Sequence, residues 1–263
     1  MSDEDDASSD GTGPDVVVVG GGVAGLTAAV FTARAGLETL VVDDGESILR
    51  RNAHLENVPG FPAGVNARLF LDLLAEQAGK SGAAFHEGRV TGLDPDDEAH
   101  AVRVEGSDGE QVLTAPFVVA ASWSDASYLE GTGVALLERG SKTYADTDDD
   151  CGRTAVDGLY AAGRLATKAH QTAVCAGHGA EVGLAVIEDS DTAFYHDWVA
   201  PEGYFTDRDR EVPPGCEEID EEEWNARAAA ARERMREAFA DPHPDDPTMH
   251  PSVVAKRARE EDG

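Results

Sequence analysis

Residues 15–44 constrain the fold most strongly, because they predict a strand, a glycine turn, a helix and a second strand in succession. The run Val16–Val19 is typical of a parallel strand that is buried on both faces. Gly20, Gly22 and Gly25 follow in the order Gly-x-Gly-x-x-Gly. The first permits a tight turn, the second lets the backbone approach a diphosphate, and the third allows close packing of helix on strand. The stretch therefore predicts a dinucleotide-binding unit.

The second strand of this unit ends beside a carboxylate. Asp43 follows the apolar residues 40–42 at the distance where a carboxylate accepts hydrogen bonds from a ribose diol. The free amides at the helix start, which includes Val23 and Ala24, are expected to meet the phosphates. The other interpretation is a Rossmann unit that keeps its glycines for packing alone and binds nothing.

The charge of the chain restricts its partners. It has 52 acidic and 21 basic residues, a net charge of -31 at pH 7. A field of this sign repels nucleic acid and anionic membrane surfaces, so we expect neither as a partner. Carboxylates spread this evenly are typical of proteins that work in concentrated salt, where ions screen the repulsion. We favour this halophilic interpretation over an acidic docking surface.

Signals for export, membrane insertion and metal binding are not recognisable in the sequence. The first ten residues are acidic, unlike a secretory signal, and no apolar run approaches the roughly 18 residues of a membrane span. Cys151, Cys175 and Cys216 lie far apart without a Cys-x-x-Cys pair, which indicates a reducing cytoplasm rather than a disulfide framework. The histidines lack metal-ligand spacing, so no metal is expected.

The remaining elements predict the rest of the fold. Short alternating runs over residues 89–93, 100–105 and 111–114 predict an antiparallel meander with a turn at Asp108-Gly109. The other predicted elements are helices over residues 69–77 and 171–188 and buried strands over residues 117–121 and 158–161. The order predicts an α/β fold, a doubly wound Rossmann-like domain with a parallel central sheet and an inserted three-stranded antiparallel β-meander.

Composition divides the chain into four parts. Near residues 221–240 the many alanines predict a helix through their high helix propensity, because the mixed charges there leave no apolar face. The prolines that follow this helix predict a mobile segment. The parts are an acidic flexible N-terminus (1–14), the Rossmann-like domain (15–190), a C-terminal extension (191–240) with a helix near 221–240, and a mobile tail (241–263).

Three separated signatures carry a resemblance to a known family: GGGVAGLTAAVFTARAG, ENVPGFP and GLYAAGRLATKAHQTAVCAGHGAEVGLAVIE. Together they resemble the FAD-binding half of thioredoxin-reductase-like flavoproteins. The resemblance implies FAD as the cofactor, with Asn57 against the flavin and the Ala-Ala-Gly segment near the ribityl chain and diphosphate. The implied FAD-binding residues are Gly20, Gly22, Val23, Ala24, Gly25, Asp43, Asn57, Val90, Gly163, Arg164, His170, Gln171 and Thr172.

The last three of these residues would start a helix at the pyrimidine edge of the flavin. A reduced flavin carries negative charge there, and a helix N-terminus offers unpaired amides and partial positive charge. This placement would favour the reduced state. For Gln171 and Thr172, the alternative that the residues alone favour is an ordinary capped helix start.

The chain also departs from this family. Residues 121–158 join the two flavin segments where the family has a nicotinamide-binding domain, and the redox cysteine pair of that domain is missing. Arg164 stands where the family has an acidic residue that hydrogen-bonds the ribityl chain, and an arginine cannot accept hydrogen bonds. Arg164 either pairs with the diphosphate or indicates an altered cofactor pose.

The function that we expect is a cytoplasmic FAD-dependent oxidoreductase that is not a true thioredoxin reductase. Its electron donor is open among NAD(P)H, a ferredoxin-like carrier and a partner subunit, and a homodimer is one arrangement to consider. The alternative is a non-catalytic flavin- or dinucleotide-binding module that acts with a partner subunit. A third interpretation places NAD(H) in the pocket instead of FAD.

Overall fold

A computed structural model describes residues 13–261, so the prediction for the first twelve residues lies outside the described part of the chain. Twelve strands and five α-helices are described within it. The strands are β1 (Val16–Val19), β2 (Thr39–Asp43), β3 (Ala84–Glu87), β4 (Arg89–Asp94), β5 (His100–Gly106), β6 (Gly109–Ala115), β7 (Phe117–Ala120), β8 (Leu136–Arg139), β9 (Lys142–Ala145), β10 (Leu159–Ala161), β11 (Trp198–Pro201) and β12 (Cys216–Ile219). The helices are α1 (Val23–Arg34), α2 (Ala67–Lys80), α3 (Thr172–Asp189), α4 (Glu221–Ala238) and α5 (Pro251–Glu261).

The central sheet is parallel and has the strand order β10-β7-β1-β2-β3. Strand β1 lies in the middle, and Val18 is paired with Val41 on one side and Val119 on the other. The chain moves outward from β1 through β2 to β3 and then continues on the opposite side with β7 and β10. The carboxyl ends of β1 and β7 are therefore the topological switch point, where open α/β sheets bind ligands. The sheet and the separate β4-β5-β6 meander confirm the predicted fold class.

The valines of β1 pack against two different layers, because successive side chains of a strand point to opposite faces. Val16 and Val18 belong to the cluster that contains α1 and α3, whereas Val17 and Val19 belong to the cluster that contains the meander. None of the four is more than 4% exposed. Helices therefore cover one face of the sheet and the meander covers the other.

Two of the observed strand pairs are not predicted by the sequence. Strands β8 and β9 form an antiparallel hairpin between β7 and β10, and β11 pairs in parallel with β12. The edge strand β3 is also unpredicted, and it pairs with β2. Each of these strands is only four residues long. An alternating pattern of that length is too short to distinguish a strand from a loop.

The C-terminal region contains two exposed helices. Helix α4 begins at the N-cap Asp220, whose side chain accepts a hydrogen bond from the Glu223 amide, and has no buried residue. Helix α5 lies in the stretch where the prolines of the sequence predict a mobile tail, so the sequence analysis did not predict this helix. Its predicted mobility stays a prediction. None of the helices between residues 13 and 261 is long and apolar enough to cross a membrane.

Candidate functional site

A cavity of about 860 Å³ opens at the switch point of the sheet. Its wall combines the glycine turn after β1, the end of β2, the ENVPGFP loop, the segment after β7 and the start of α3. The predicted residues that line it are Gly20, Gly22, Val23, Ala24, Asp43, Asn57, Val90, Arg164, His170, Gln171 and Thr172. Gly25 and Gly163 are the two predicted residues outside the lining. Segments far apart in the chain therefore meet at one cavity.

The glycine turn is held by the end of the neighbouring strand. Gly20 has a φ of 107°, and its amide donates a hydrogen bond of 2.8 Å to the Val42 carbonyl. The Gly21 amide donates to Asp43 Oδ1 at 2.9 Å. A Cβ atom at Gly21 would lie 2.5 Å from Asp43 Oδ2, so the middle glycine is needed for this contact. The motif pattern alone does not assign that role to Gly21.

The second and third motif glycines have different surroundings. A Cβ atom at Gly22 would meet nothing nearer than Ser47 Oγ, at 3.9 Å, so there is free space in front of this residue. A Cβ atom at Gly25 would collide with the Gly20 carbonyl oxygen and lie 3.1 Å from Val18 Cγ1. Gly22 thus borders the space for a ligand, whereas Gly25 permits close packing of α1 on β1.

Two helix N-termini face the cavity. Gly22 caps α1 and Gln171 caps α3, and neither cap makes a side-chain hydrogen bond to its helix. Neither first turn contains an acidic residue. The first amides of a helix lack intrahelical partners and carry partial positive charge, so both ends favour an anionic ligand.

The ENVPGFP loop is joined to the start of α3 across the cavity. Asn57 Nδ2 donates a hydrogen bond of 2.7 Å to Gln171 Oε1. This bond links two of the three signatures over 114 positions of sequence. It orients both amides at the place where the resemblance puts the flavin.

Gly163 lies behind the cavity wall at the crossing of α1 and α3. Its φ is 62°, and a Cβ atom there would lie 2.6 Å from the Ala24 Cβ. Its amide donates to His178 Nδ1 at 2.9 Å, and His178 Nε2 lies 3.1 Å from the Asp150 carbonyl oxygen. Burial lowers the pKa of His178, which agrees with a neutral ring that accepts at Nδ1 and donates at Nε2.

Arg164 extends into the cavity wall from the next position. Its guanidinium carbon lies 4.8 Å from the centre of the Tyr144 ring, and Nη2 donates to the Tyr144 hydroxyl at 2.8 Å. Nη1 donates to the Lys168 carbonyl at 3.3 Å. Tyr144 belongs to the unpredicted hairpin and is 2% exposed, so this hairpin helps to form the site.

Trp123 is a cavity residue that sequence reasoning missed. It follows β7 at the switch point and has a φ of 63°, a strained conformation for a bulky residue. Its ring packs edge-on against His170 with centroids 5.5 Å apart, and Lys142 Nζ lies 5.2 Å from its centre. The signal that was available is its position just beyond the carboxyl end of a predicted parallel strand.

The thiol and metal chemistry of the site is limited. Cys175 lines the cavity, and burial raises the pKa of its thiol, which disfavours the thiolate form. Between residues 13 and 260 no group of three or more histidines, cysteines and carboxylates could hold a metal ion. The cavity instead offers an opening in front of a glycine and two uncapped helix starts, which fit a dinucleotide cofactor.

Comparison with known proteins agrees with this geometry. Residues 15–53 match the family model of the FAD binding domain. Thioredoxin reductase of Aquifex aeolicus (strain VF5) is 40% identical over 82 residues, 30% of this chain and 25% of that protein. The thioredoxin reductase of Mycolicibacterium smegmatis is 29% identical over 154 residues, 50% of each. The matches therefore span a quarter to a half of these relatives.

The solved structures agree in fold. The crystal structure of T. acidophilum thioredoxin reductase matches with a TM-score of 0.59 and 17% identity, over 67% of this chain and 98% of that chain. The fold and the cavity define a dinucleotide-binding α/β protein. Over part of its length the chain is similar to thioredoxin reductases and to the FAD binding domain family, and FAD is the cofactor that these matches indicate.

Proposed function

We propose that the protein is an FAD-dependent oxidoreductase whose cofactor occupies the switch-point cavity. The observation that carries the proposal is the convergence of the three family signatures on that cavity, with two uncapped helix N-termini beside Gly22 and Gln171. FAD supplies the electron-transfer chemistry when it is bound, and the protein supplies orientation and electrostatics. The proposed FAD-binding residues are the thirteen named in the sequence analysis, with Gly25 and Gly163 acting through packing.

The start of α3 has a defined part in this proposal. The Asn57–Gln171 hydrogen bond holds both side chains beside the first amides of the helix. Those amides and the positive end of the helix dipole favour negative charge at the pyrimidine edge of a flavin. The residues of α3 would thereby stabilise the reduced form of the cofactor.

The electron donor is proposed to come from outside the described fold. Between β7 and β10 the structure has the β8-β9 hairpin and no further parallel sheet in the described range. Cys151, Cys175 and Cys216 are all free, so a dithiol relay like that of the family is not part of the proposal. Transient NAD(P)H, a ferredoxin-like carrier or a partner subunit, including a second copy of the chain, are the candidate donors.

An anaerobic absorbance titration tests the proposal. The purified protein is incubated with FAD, freed of excess cofactor and titrated with NADPH and then NADH. A flavin spectrum that bleaches supports an NAD(P)H-linked oxidoreductase. A bound flavin that resists both nucleotides favours a carrier donor or the non-catalytic module, and a protein that binds no FAD contradicts the cofactor assignment for this chain.

A single methyl group provides a sharper test of the cavity. Gly22→Ala should fold normally because its φ of -83° suits alanine and its Cβ has room. The methyl group would occupy ligand space, so we expect FAD affinity to fall at least about tenfold, or ~1.4 kcal/mol. Gly177→Ala on α3 is the matched control, since a Cβ there meets nothing within 4 Å. Equal FAD affinity of the two variants would place the cofactor elsewhere.

We also infer that the protein acts in a cytoplasm of high salt concentration. The support is the net charge of -31 and the many carboxylates in exposed positions. Added KCl should screen their repulsion and raise the unfolding temperature. A protein that is equally stable at about 0.1 M and 2 M KCl would contradict this inference.

A further inference from the structure

Arg164 is a charged side chain of the cavity whose position is determined by its neighbours. The buried Tyr144 ring lies 4.8 Å from the guanidinium carbon, and the Tyr144 hydroxyl accepts from Nη2 at 2.8 Å. The Lys168 carbonyl accepts from Nη1 at 3.3 Å. Stacking and two hydrogen bonds restrict the guanidinium, so little conformational entropy is left to lose when it binds a ligand.

The positive charge of Arg164 is not neutralised by the described part of the chain. No carboxylate between residues 13 and 260 forms an ion pair with it, although the chain as a whole has a large acidic excess. Its Nε atom is buried and has no hydrogen-bond partner there. Arg89, another arginine of the cavity, is paired with Asp125 at 2.5 Å. A guanidinium that lines the cavity without a counter-ion points to an anionic ligand at Arg164.

The residue before Arg164 lies close to the first turns of both cavity helices. A Cβ atom at the preceding residue, Gly163, would lie 2.6 Å from Ala24 Cβ in the first turn of α1. The same atom would lie 3.7 Å from Cys175 Sγ, one turn into α3. Arg164 and both helix starts line the same cavity, so its full positive charge and the two partial charges all favour an anionic ligand there.

We propose that Arg164, positioned by Tyr144, is a binding residue for the diphosphate of the dinucleotide in the cavity. The proposal rests on the function proposed above. Its ligand is the phosphate part of FAD, and the guanidinium hydrogens that Tyr144 and Lys168 do not use supply the donors. The β8-β9 hairpin thereby acquires a role in cofactor binding through Tyr144.

Equilibrium binding of FAD and of riboflavin, which lacks phosphates, tests the proposal at one fixed salt concentration. Arg164→Gln should weaken FAD binding by about 10- to 100-fold, the range for a lost charge-assisted hydrogen bond, and change riboflavin binding less than about threefold. Tyr144→Phe keeps the ring but removes the hydroxyl, and should weaken FAD binding by a smaller factor. Arg139→Gln makes the same change of charge on the exposed end of the hairpin and should leave both affinities unchanged.

Two results would overturn the proposal while leaving the proposed function intact. One is unchanged FAD affinity in Arg164→Gln, and the other is an equal loss for FAD and riboflavin, which would indicate a general defect of the cavity. Arg164→Lys separates charge from folding, because it should retain more FAD affinity than Arg164→Gln if the phosphates are contacted. Failure of the unaltered protein to bind FAD would instead contradict the proposed function itself.

Discussion

The nucleotide-binding region and the C-terminal region of this chain are stabilised in different ways. In residues 15–190 the sheet and helices share buried apolar clusters, and the largest fully buried side chains of the described structure all lie there. In residues 191–260 the buried hydrophobic residues are Ala200 and Phe205, and α4 contains no buried residue. Buried apolar side chains stabilise the nucleotide-binding region, whereas the C-terminal region buries few of its side chains.

Charged contacts attach the C-terminal region to the nucleotide-binding region. Asp197 pairs with Arg34 of α1 at 2.5 Å, and Arg234 of α4 pairs with Glu76 of α2 at 2.6 Å. His243 Nε2 lies 2.9 Å from Asp72 Oδ2 of the same helix. In the closely packed first region, adding or removing a single atom changes the free energy of unfolding, whereas each exposed ion pair contributes little to it. Substitutions in the packed nucleotide-binding region should therefore change the free energy of unfolding strongly, and substitutions at the attachment of the C-terminal region should change it little.

The largest effect is expected at the crossing of α1 and α3. A Cβ atom at Gly179 would collide with the Ala24 carbonyl oxygen, so Gly179→Ala should lower the free energy of unfolding by ~1–3 kcal/mol. Gly177→Ala, two residues earlier on the same helix, should raise it by up to about 1 kcal/mol, because alanine favours helix and meets no neighbour. Urea unfolding measures both. Equal effects of the two substitutions would show that this crossing is not closely packed.

An intermediate effect is expected from pH, through His178. Burial lowers the pKa of the folded-state ring, and protonation at Nδ1 would remove the hydrogen bond from the Gly163 amide. The unfolded chain then binds more protons below its ordinary pKa of about 6.5, so stability is complete above that pH and falls as the pH decreases.

The measurement for His178 is a comparison of pH profiles. His178→Gln keeps an acceptor for the amide and a donor for the Asp150 carbonyl without titrating. We expect the free energy of unfolding of the unaltered protein to decline between pH 7.5 and 5.5 more than that of the variant. Parallel profiles would mean that His178 does not contribute to the decline.

The smallest effect is expected at the attachment of α4. Hydrogen bonds from Arg234 and Lys80 lower the pKa of Glu76 to about 2, so this carboxylate stays ionised in mild acid. Arg234→Ala should change the free energy of unfolding only slightly, because exposed ion pairs contribute little, and should increase amide exchange in α4 while leaving β1 unaffected. Arg236→Ala, whose partner Glu233 lies on the same helix, is the control. A loss as large as that of Gly179→Ala would refute the contrast between the regions.

The sequence predicts the nucleotide-binding region well and the C-terminal region less well, for a physical reason. The run Val16–Val19, the glycine turn and the meander follow local rules of strand burial and turn geometry, and their bounds agree closely with the structure. The strand pair β11-β12 and helix α5 have short or polar patterns that resemble loops. Most predicted cofactor residues line one cavity, but the pattern did not show that Gly21 must lack a Cβ atom to donate its hydrogen bond to Asp43.

The sequence by itself determined the parallel sheet, the glycine turn and the kind of ligand that the turn accommodates, because backbone conformation and alternating burial depend on residues close together in the chain. Only the tertiary structure decided that Asn57 meets Gln171, that Trp123 faces His170, and that Tyr144 holds Arg164. These contacts join elements separated by 20 to 114 positions. Their geometry depends on how strands and helices cross, which no local pattern specifies.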